Sequence, residues 1–144
     1  MDEDGLVSNW QQSKRRSTAL RLAEQCLKEQ EYKRDQFGHP SSYAFVRFEC
    51  LPADSLSFEM DTAWPGHLTP EYSRLLEHAI SAAIVDVLLA SSADAHRGCS
   101  LKCVEVRWDD VCSSEVAFYR ATRATMTKLL NEEKWNLTGL RKSS

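Results

Sequence analysis

The side chains in this sequence best equipped for chemistry are five cysteines, four histidines and a run of adjacent carboxylates. Cys99 and Cys103 are four residues apart, with Cys112 nine further on, and no histidine completes a zinc-ligand spacing. His39, His67, His78 and His96 are scattered, and no two share one face of a helical turn. No metal site is implied. Cys112 stands just before Ser113 and Ser114, where a helix should begin, and a thiol at a helix N-terminus can lose its proton easily enough to become a nucleophile. Asp109, Asp110 and Glu115 oppose that ionisation. Cys112 therefore reads as a spectator, with cysteine-dependent catalysis the least favoured of three readings, and the chain is expected not to be an enzyme.

A second group suits binding. Lys33 and Arg34 precede Phe37, Gly38 and His39. Cations beside an aromatic ring and an imidazole can meet phosphates while the rings stack on unpaired bases. The plainer alternative is that Phe37 seals the core edge and the charges are solvated. A phosphate-cradling Gly-x-x-x-x-Gly-Lys-Ser/Thr loop is absent, so neither nucleotide nor other cofactor is expected.

The elements that must hold these residues follow from patterning. With 144 residues, 42% of them hydrophobic and 27% charged, the chain can bury one core without staples. Its net charge of -3 excludes binding to nucleic acid or membrane by bulk charge, although Lys14 to Arg34 carries seven basic residues against three acidic ones. The most apolar stretch, Ala79 to Ala90, is too short to span a bilayer and contains Asp86. The acidic start, Met1-Asp2-Glu3-Asp4, lacks the features of a secretory signal, so a cytoplasmic protein with reduced thiols is expected.

Residues 1–16 read as a loose arm. From 17 to 34, Ala19, Leu20, Ala23, Cys26 and Leu27 recur at three- and four-residue steps, which predicts an N-terminal helix. A loop is expected from Asp35 to Ser42. Alternation then predicts strands over Ala44–Cys50 and Leu56–Met60, joined as an antiparallel hairpin through Pro52–Ser55. Thr69-Pro70-Glu71 starts a helix running to about Leu89, with Ser91 to Gly98 as a loop behind it. Leu101, Val104, Val106 and Trp108 suggest a third strand. A second helix runs from Ser113 or Ser114 to about Glu133, with Ala117, Ala121 and Ala124 as a face able to lie close on a sheet. The tail, 135–144, could add a short strand through Leu137. The domain proper is 35–134, an α+β fold with helices on one sheet face.

Two segments carry a resemblance. Gly66-His67-Leu68-Thr69-Pro70-Glu71-Tyr72, followed by a helix, and Asp110-Val111-Cys112-Ser113-Ser114-Glu115-Val116-Ala117-Phe118, following a strand, are similar to the two signatures of domain IV of elongation factor G. The resemblance covers roughly Tyr43 to Leu130. It implies a split β-α-β two-layer sandwich with a left-handed crossover between parallel strands, here with an extra N-terminal helix and no GTPase domain. It also implies a non-catalytic module that meets the ribosome or structured RNA through loops at one tip. Those loops fall on Phe37, Gly38 and His39, flanked by Lys33 and Arg34, and on Asp109 and Asp110. The paired carboxylates at the tip favour the rival reading, a protein-interaction or scaffold domain that kept the fold without ribosome binding.

Overall fold

Both expected helices begin where a side-chain oxygen can take up a free amide. In the computed structural model, which describes residues 18–36, 39–90 and 95–138, helix α1 spans Pro70–Val85. Thr69 Oγ1 accepts from the Tyr72 amide at 3.1 Å, and Pro70 occupies the first turn, where its missing N–H costs nothing. The helix continues into a wider, π-helical turn over Asp86–Ala90. Helix α2 spans Glu115–Glu132, and Ser114 Oγ accepts from the Ala117 amide at 3.2 Å.

Among the described residues, six strands make one mixed sheet: β1 Thr18–Leu22, β2 Cys26–Gln36, β3 His39–Pro52, β4 Ser57–Met60, β5 Ala95–Arg107 and β6 Trp135–Thr138. The order is β2-β3-β5-β1-β6, with β4 also on β5. The N-terminal helix expected over 17–34 is not formed; β1 and β2 occupy that stretch. The helical spacing rested partly on Leu27, yet Leu27 is 63% exposed. The period that governs β2 is two: Cys26, Lys28, Gln30 and Tyr32 lie opposite Cys50, Phe48, Val46 and Ala44 of β3. Most of these β2 side chains are polar, so a hydrophobicity pattern could not reveal the period. They pack because their heads find partners on α2 and just beyond it. Lys28 Nζ meets Glu132 and Glu133 at 2.9 and 2.7 Å, and Arg120 donates to the Tyr32 hydroxyl at 2.8 Å. The long ladder between β2 and β3 overrides a weak local helical preference. The loop expected over 35–42 is correspondingly shorter, because β2 runs to Gln36 and β3 starts at His39. Likewise β5 begins at Ala95, inside the loop expected up to Gly98. The short strand through Leu137 is present as β6, antiparallel to β1.

The expected hairpin between β3 and β4 is also corrected. Strand β3 pairs with β2 and β5, while β4 lies on the other edge of β5, parallel to it, with Phe58 opposite Leu101. The connector Ala53–Leu56 therefore steps across β5, and it does so over Gly98. A β-carbon there would sit 2.4 Å from the Ala53 carbonyl oxygen and 2.9 Å from the Asp54 carbonyl carbon and oxygen. Only glycine lets the two backbones approach so closely. A second irregularity explains the blurred alternation of β5. Arg47 pairs with Glu105 but Phe48 with Cys103, so Val104 is an extra, bulged residue. Leu101 and Cys103 before the bulge, and Val106 and Trp108 after it, can then contribute to one core.

That core lies between the sheet and the two helices. Val46, Phe48, Leu101, Leu76, Ile80, Ile84, Phe118, Met126 and Leu129 are essentially fully buried in one cluster. Helix α2 lies close along β2 and β3, with Ala117 and Ala121 completely buried. On the opposite sheet face Phe45 is held under the guanidinium groups of Arg47 and Arg107, 5.6 and 4.1 Å from its ring centre. Glu29, Arg47, Glu105 and Arg107 form a chain of ion pairs across that face at 2.6–2.8 Å. No helix among the described residues is long and apolar enough to cross a membrane.

Candidate functional site

The two segments singled out in the sequence meet at one end of the molecule. Each precedes a helix, and both helices start on the same side of the sheet, so the loops before them become neighbours. His67 Nε2 lies 2.7 Å from Asp110 Oδ1, and the Trp108 indole N–H donates to the same oxygen at 2.6 Å. Beneath this contact four aromatic rings join the loops. Trp64 meets the edge of Phe118 at 5.1 Å, Tyr72 meets Trp108 at 5.8 Å, and Trp108 stacks on Phe118 at 6.1 Å. Trp64 is fixed from the other side by donating to Glu77 on α1 at 2.8 Å.

The loop from Trp108 to Ser114 is tied by its own side chains. Asp109 Oδ1 accepts from the amides of Val111 and Cys112 at 2.9 and 3.0 Å. Ser113 Oγ accepts from the Asp109 amide at 2.9 Å and donates to the Tyr43 carbonyl at 2.8 Å, while the Tyr43 amide donates to the Cys112 carbonyl at 3.1 Å. The loop is thereby stitched to β3 near its start. The amides of Val111 and Cys112 hold the Asp109 carboxyl below its ordinary range. Trp108 and His67 do the same for Asp110. Both carboxylates thus have partners within the protein, while both residues stay exposed and anionic at the surface.

A cleft of about 480 Å³ opens beside this loop. It is lined by Glu31 and Lys33 of β2, Tyr43 of β3 and Arg107 of β5, together with Trp108, Asp109 and Cys112 of the loop. Tyr43 is half-buried; burial raises its phenol, and the hydrogen-bonded Glu31 adds to the rise. Of the residues expected at the site, Lys33 and Asp109 line the same cleft. Arg34 is exposed on β2, opposite Ser42, and Asp110 binds His67 on the neighbouring loop. Phe37 and Gly38 lie outside the described residues, and of His39 only its backbone place at the start of β3 is described. Sequence reasoning missed Tyr43, Arg107, Trp64 and His67 as site-forming residues. Tyr43 and Arg107 gave no local signal, because they reach the cleft only through the register of β3 and β5. His67 belongs to a quoted segment, but its partner is far away in sequence.

Chemically, the site presents two cations and two carboxylates, Lys33 and Arg107 with Glu31 and Asp109, beside the aromatic rings of Tyr43 and Trp108. Cys112 is buried, and its thiol hydrogen-bonds Asp109. A carboxylate held below its ordinary range is a poor acceptor for that proton, so this pair is ill suited to generate a nucleophile. Among the described residues no three His, Cys, Asp or Glu side chains come together as a metal-binding group.

No protein-family model and no curated protein matches the chain. In structure it is similar to a protein of Thermus thermophilus known from a crystal structure, with 23% identity and a TM-score of 0.62. The match covers 84% of this chain but 18% of that one, so the chain spans less than a fifth of that protein's length. At this identity the likeness shows the fold alone.

Proposed function

We propose that this chain is a non-catalytic binding module of the elongation factor G domain IV type, contacting structured RNA or the ribosome through the end that carries the cleft. The observation carrying this reading is the meeting of the two resembling segments at His67 and Asp110, beside the β2–β3 strands that hold Lys33. The parallel β4–α1–β5 unit supports it, since the resemblance implies a crossover of that kind, left-handed in the family. Lys33 and Arg107 then supply the charge, and Trp108 an aromatic edge.

Co-sedimentation of the purified chain with ribosomal subunits at two salt concentrations tests the reading. Replacing Lys33 and Arg34 with alanine should weaken binding and flatten its salt dependence, by about 0.7 to 0.9 in log-log slope for each phosphate that is no longer neutralised. Absence of binding by the parent chain at low salt would reject it. The rival, a protein-interaction domain, draws on one observation: Val111, at the apex of the same loop, is 88% exposed. It expects Val111→Ser to reduce partner capture while the lysine and arginine changes leave it intact.

A further inference from the structure

Strand β2 begins with a cysteine that lies opposite another near the end of β3. Cys26 and Cys50 are direct partners in the antiparallel ladder, and the Cys50 thiol donates to the Phe48 carbonyl at 3.9 Å. Residues so placed stand about 4.5 or 5.5 Å apart at Cα, according to the type of pair. Both values fall inside the window of about 4.4–6.8 Å that a disulfide spans. The two thiols differ in access: Cys26 is partly exposed, whereas Cys50 is fully buried. A third thiol, Cys99, is buried close to both. None of the three is bridged in this structure.

We propose that Cys26 and Cys50 form a thiol–disulfide exchange site, at which a low-molecular-weight disulfide such as glutathione disulfide converts the pair into an internal bridge. Cys26, as its thiolate, attacks one sulfur of the reagent; that S–S bond breaks and one glutathione leaves as thiolate, taking up a proton. Cys50 then attacks the Cys26 sulfur and expels the second glutathione. The protein loses two protons and two electrons, and one glutathione disulfide gains them to become two glutathione thiols. The order follows from access, since Cys26 is partly exposed to the reagent whereas Cys50, its ladder partner, is buried. Burial raises both thiols, Cys50 far more than Cys26, which agrees with Cys26 attacking first and makes the exchange slow. The bridge would clamp the end of the β2–β3 pair remote from Lys33 and Tyr43, in strands already held in register by their ladder.

The folded full-length chain is incubated with a graded series of oxidised and reduced glutathione, then quenched with acid. Intact mass should fall by two hydrogens, and a non-reducing digest should join the peptides bearing Cys26 and Cys50. The thermal midpoint should rise on bridging, because the cross-link restricts the unfolded chain. Cys26→Ser should abolish the bridge and Cys112→Ser should not; Cys50→Ala should accumulate a glutathione adduct on Cys26. A bridge from Cys26 to Cys99 or Cys112 would overturn the proposal, as would a lasting adduct on Cys26 in the parent chain. So would a folded chain that stays reduced under conditions that oxidise it in urea, or a bridged chain that melts earlier than the reduced one.

Discussion

Replacing Gly98 with alanine should destabilise the protein, although alanine is ordinarily the better residue inside a strand by about 0.5–1 kcal/mol. The added methyl would lie 2.4 Å from the Ala53 carbonyl oxygen, where ordinary contact starts at 3.4 Å, and 2.9 Å from two atoms of Asp54. All three are backbone atoms of a connector pinned at both ends by β3 and β4, so no rotamer change can relieve the overlap. The connector must lift by most of an ångström, pulling Ser57 and Phe58 away from Ser100 and Leu101 and loosening the contact of Phe58 with Phe48, now 6.2 Å between ring centres. Overpacking of this kind costs about 1–3 kcal/mol. Set against the strand preference, the net loss is about 1–2 kcal/mol, or about 3–10 °C in melting temperature for a chain of this size. Urea unfolding followed by far-ultraviolet circular dichroism measures it, with Gly66→Ala as control because nothing lies within 4 Å of the β-carbon there. The control should be neutral or slightly stabilised. If Gly98→Ala proved as stable as Gly66→Ala with an unchanged denaturant slope, the close crossing over β5 would be refuted.

Other expectations concern the core and the loop. Ile80→Ala and Ile84→Ala remove side chains buried between α1, α2 and the sheet, so each should cost about 2–5 kcal/mol in urea unfolding, and near-neutral values would contradict the shared core. Asp109 has its folded-state pKa depressed by the amides of Val111 and Cys112, so its contribution is complete above the unfolded value of about 3.9 and is lost as pH falls through the folded one. Asp109→Asn should therefore be less stable than the parent at neutral pH, and the gap should close on acidification below about pH 4. Urea midpoints at several pH values check this, and a gap that widens in acid would show the sign to be wrong.

The helices were legible because their signals are local. Thr69-Pro70-Glu71 and Ser114-Glu115 mark starts by chemistry that needs no tertiary partner, and the stripe through Leu76, Ile80 and Ile84 has a period no strand could use. The small-residue face of α2 was legible for the same reason. What failed depends on partners distant in sequence. Lys28 and Gln30 sit on the covered face of β2 as polar residues, so the strand's alternation carried no hydrophobic signal, and the accidental spacing of Ala19, Ala23 and Leu27 read as helix. The pairing of β3 with β4 was expected because neighbours in sequence usually pair; here β5 inserts between them, and the sign of that insertion, Gly98, lies far beyond the turn in sequence. Within the site, the two segments were readable but not that Asp110 would turn toward His67, nor that Asp109 would spend its carboxylate on its own loop.

The step of residues 53–56 across β5 also bears on how the chain assembles. Strand β5 is flanked by β3 on one edge and by β4 and β1 on the other, with Thr18 opposite Ala95 and Phe45 opposite Arg107. None of these ladders can close until most of the chain has been made, and the last-arriving partner must occupy a slot already spanned by a short connector. Nonlocal pairing of this kind is the regime of slow folding, from milliseconds to seconds. Until β5 is seated, the inner edges of β1, β3 and β4 have no partner, and the exposed β-edges make the incomplete sheet prone to self-association. Seating β5 is therefore the event that turns separate strand pairs into one sheet, and Gly98 keeps the passage open.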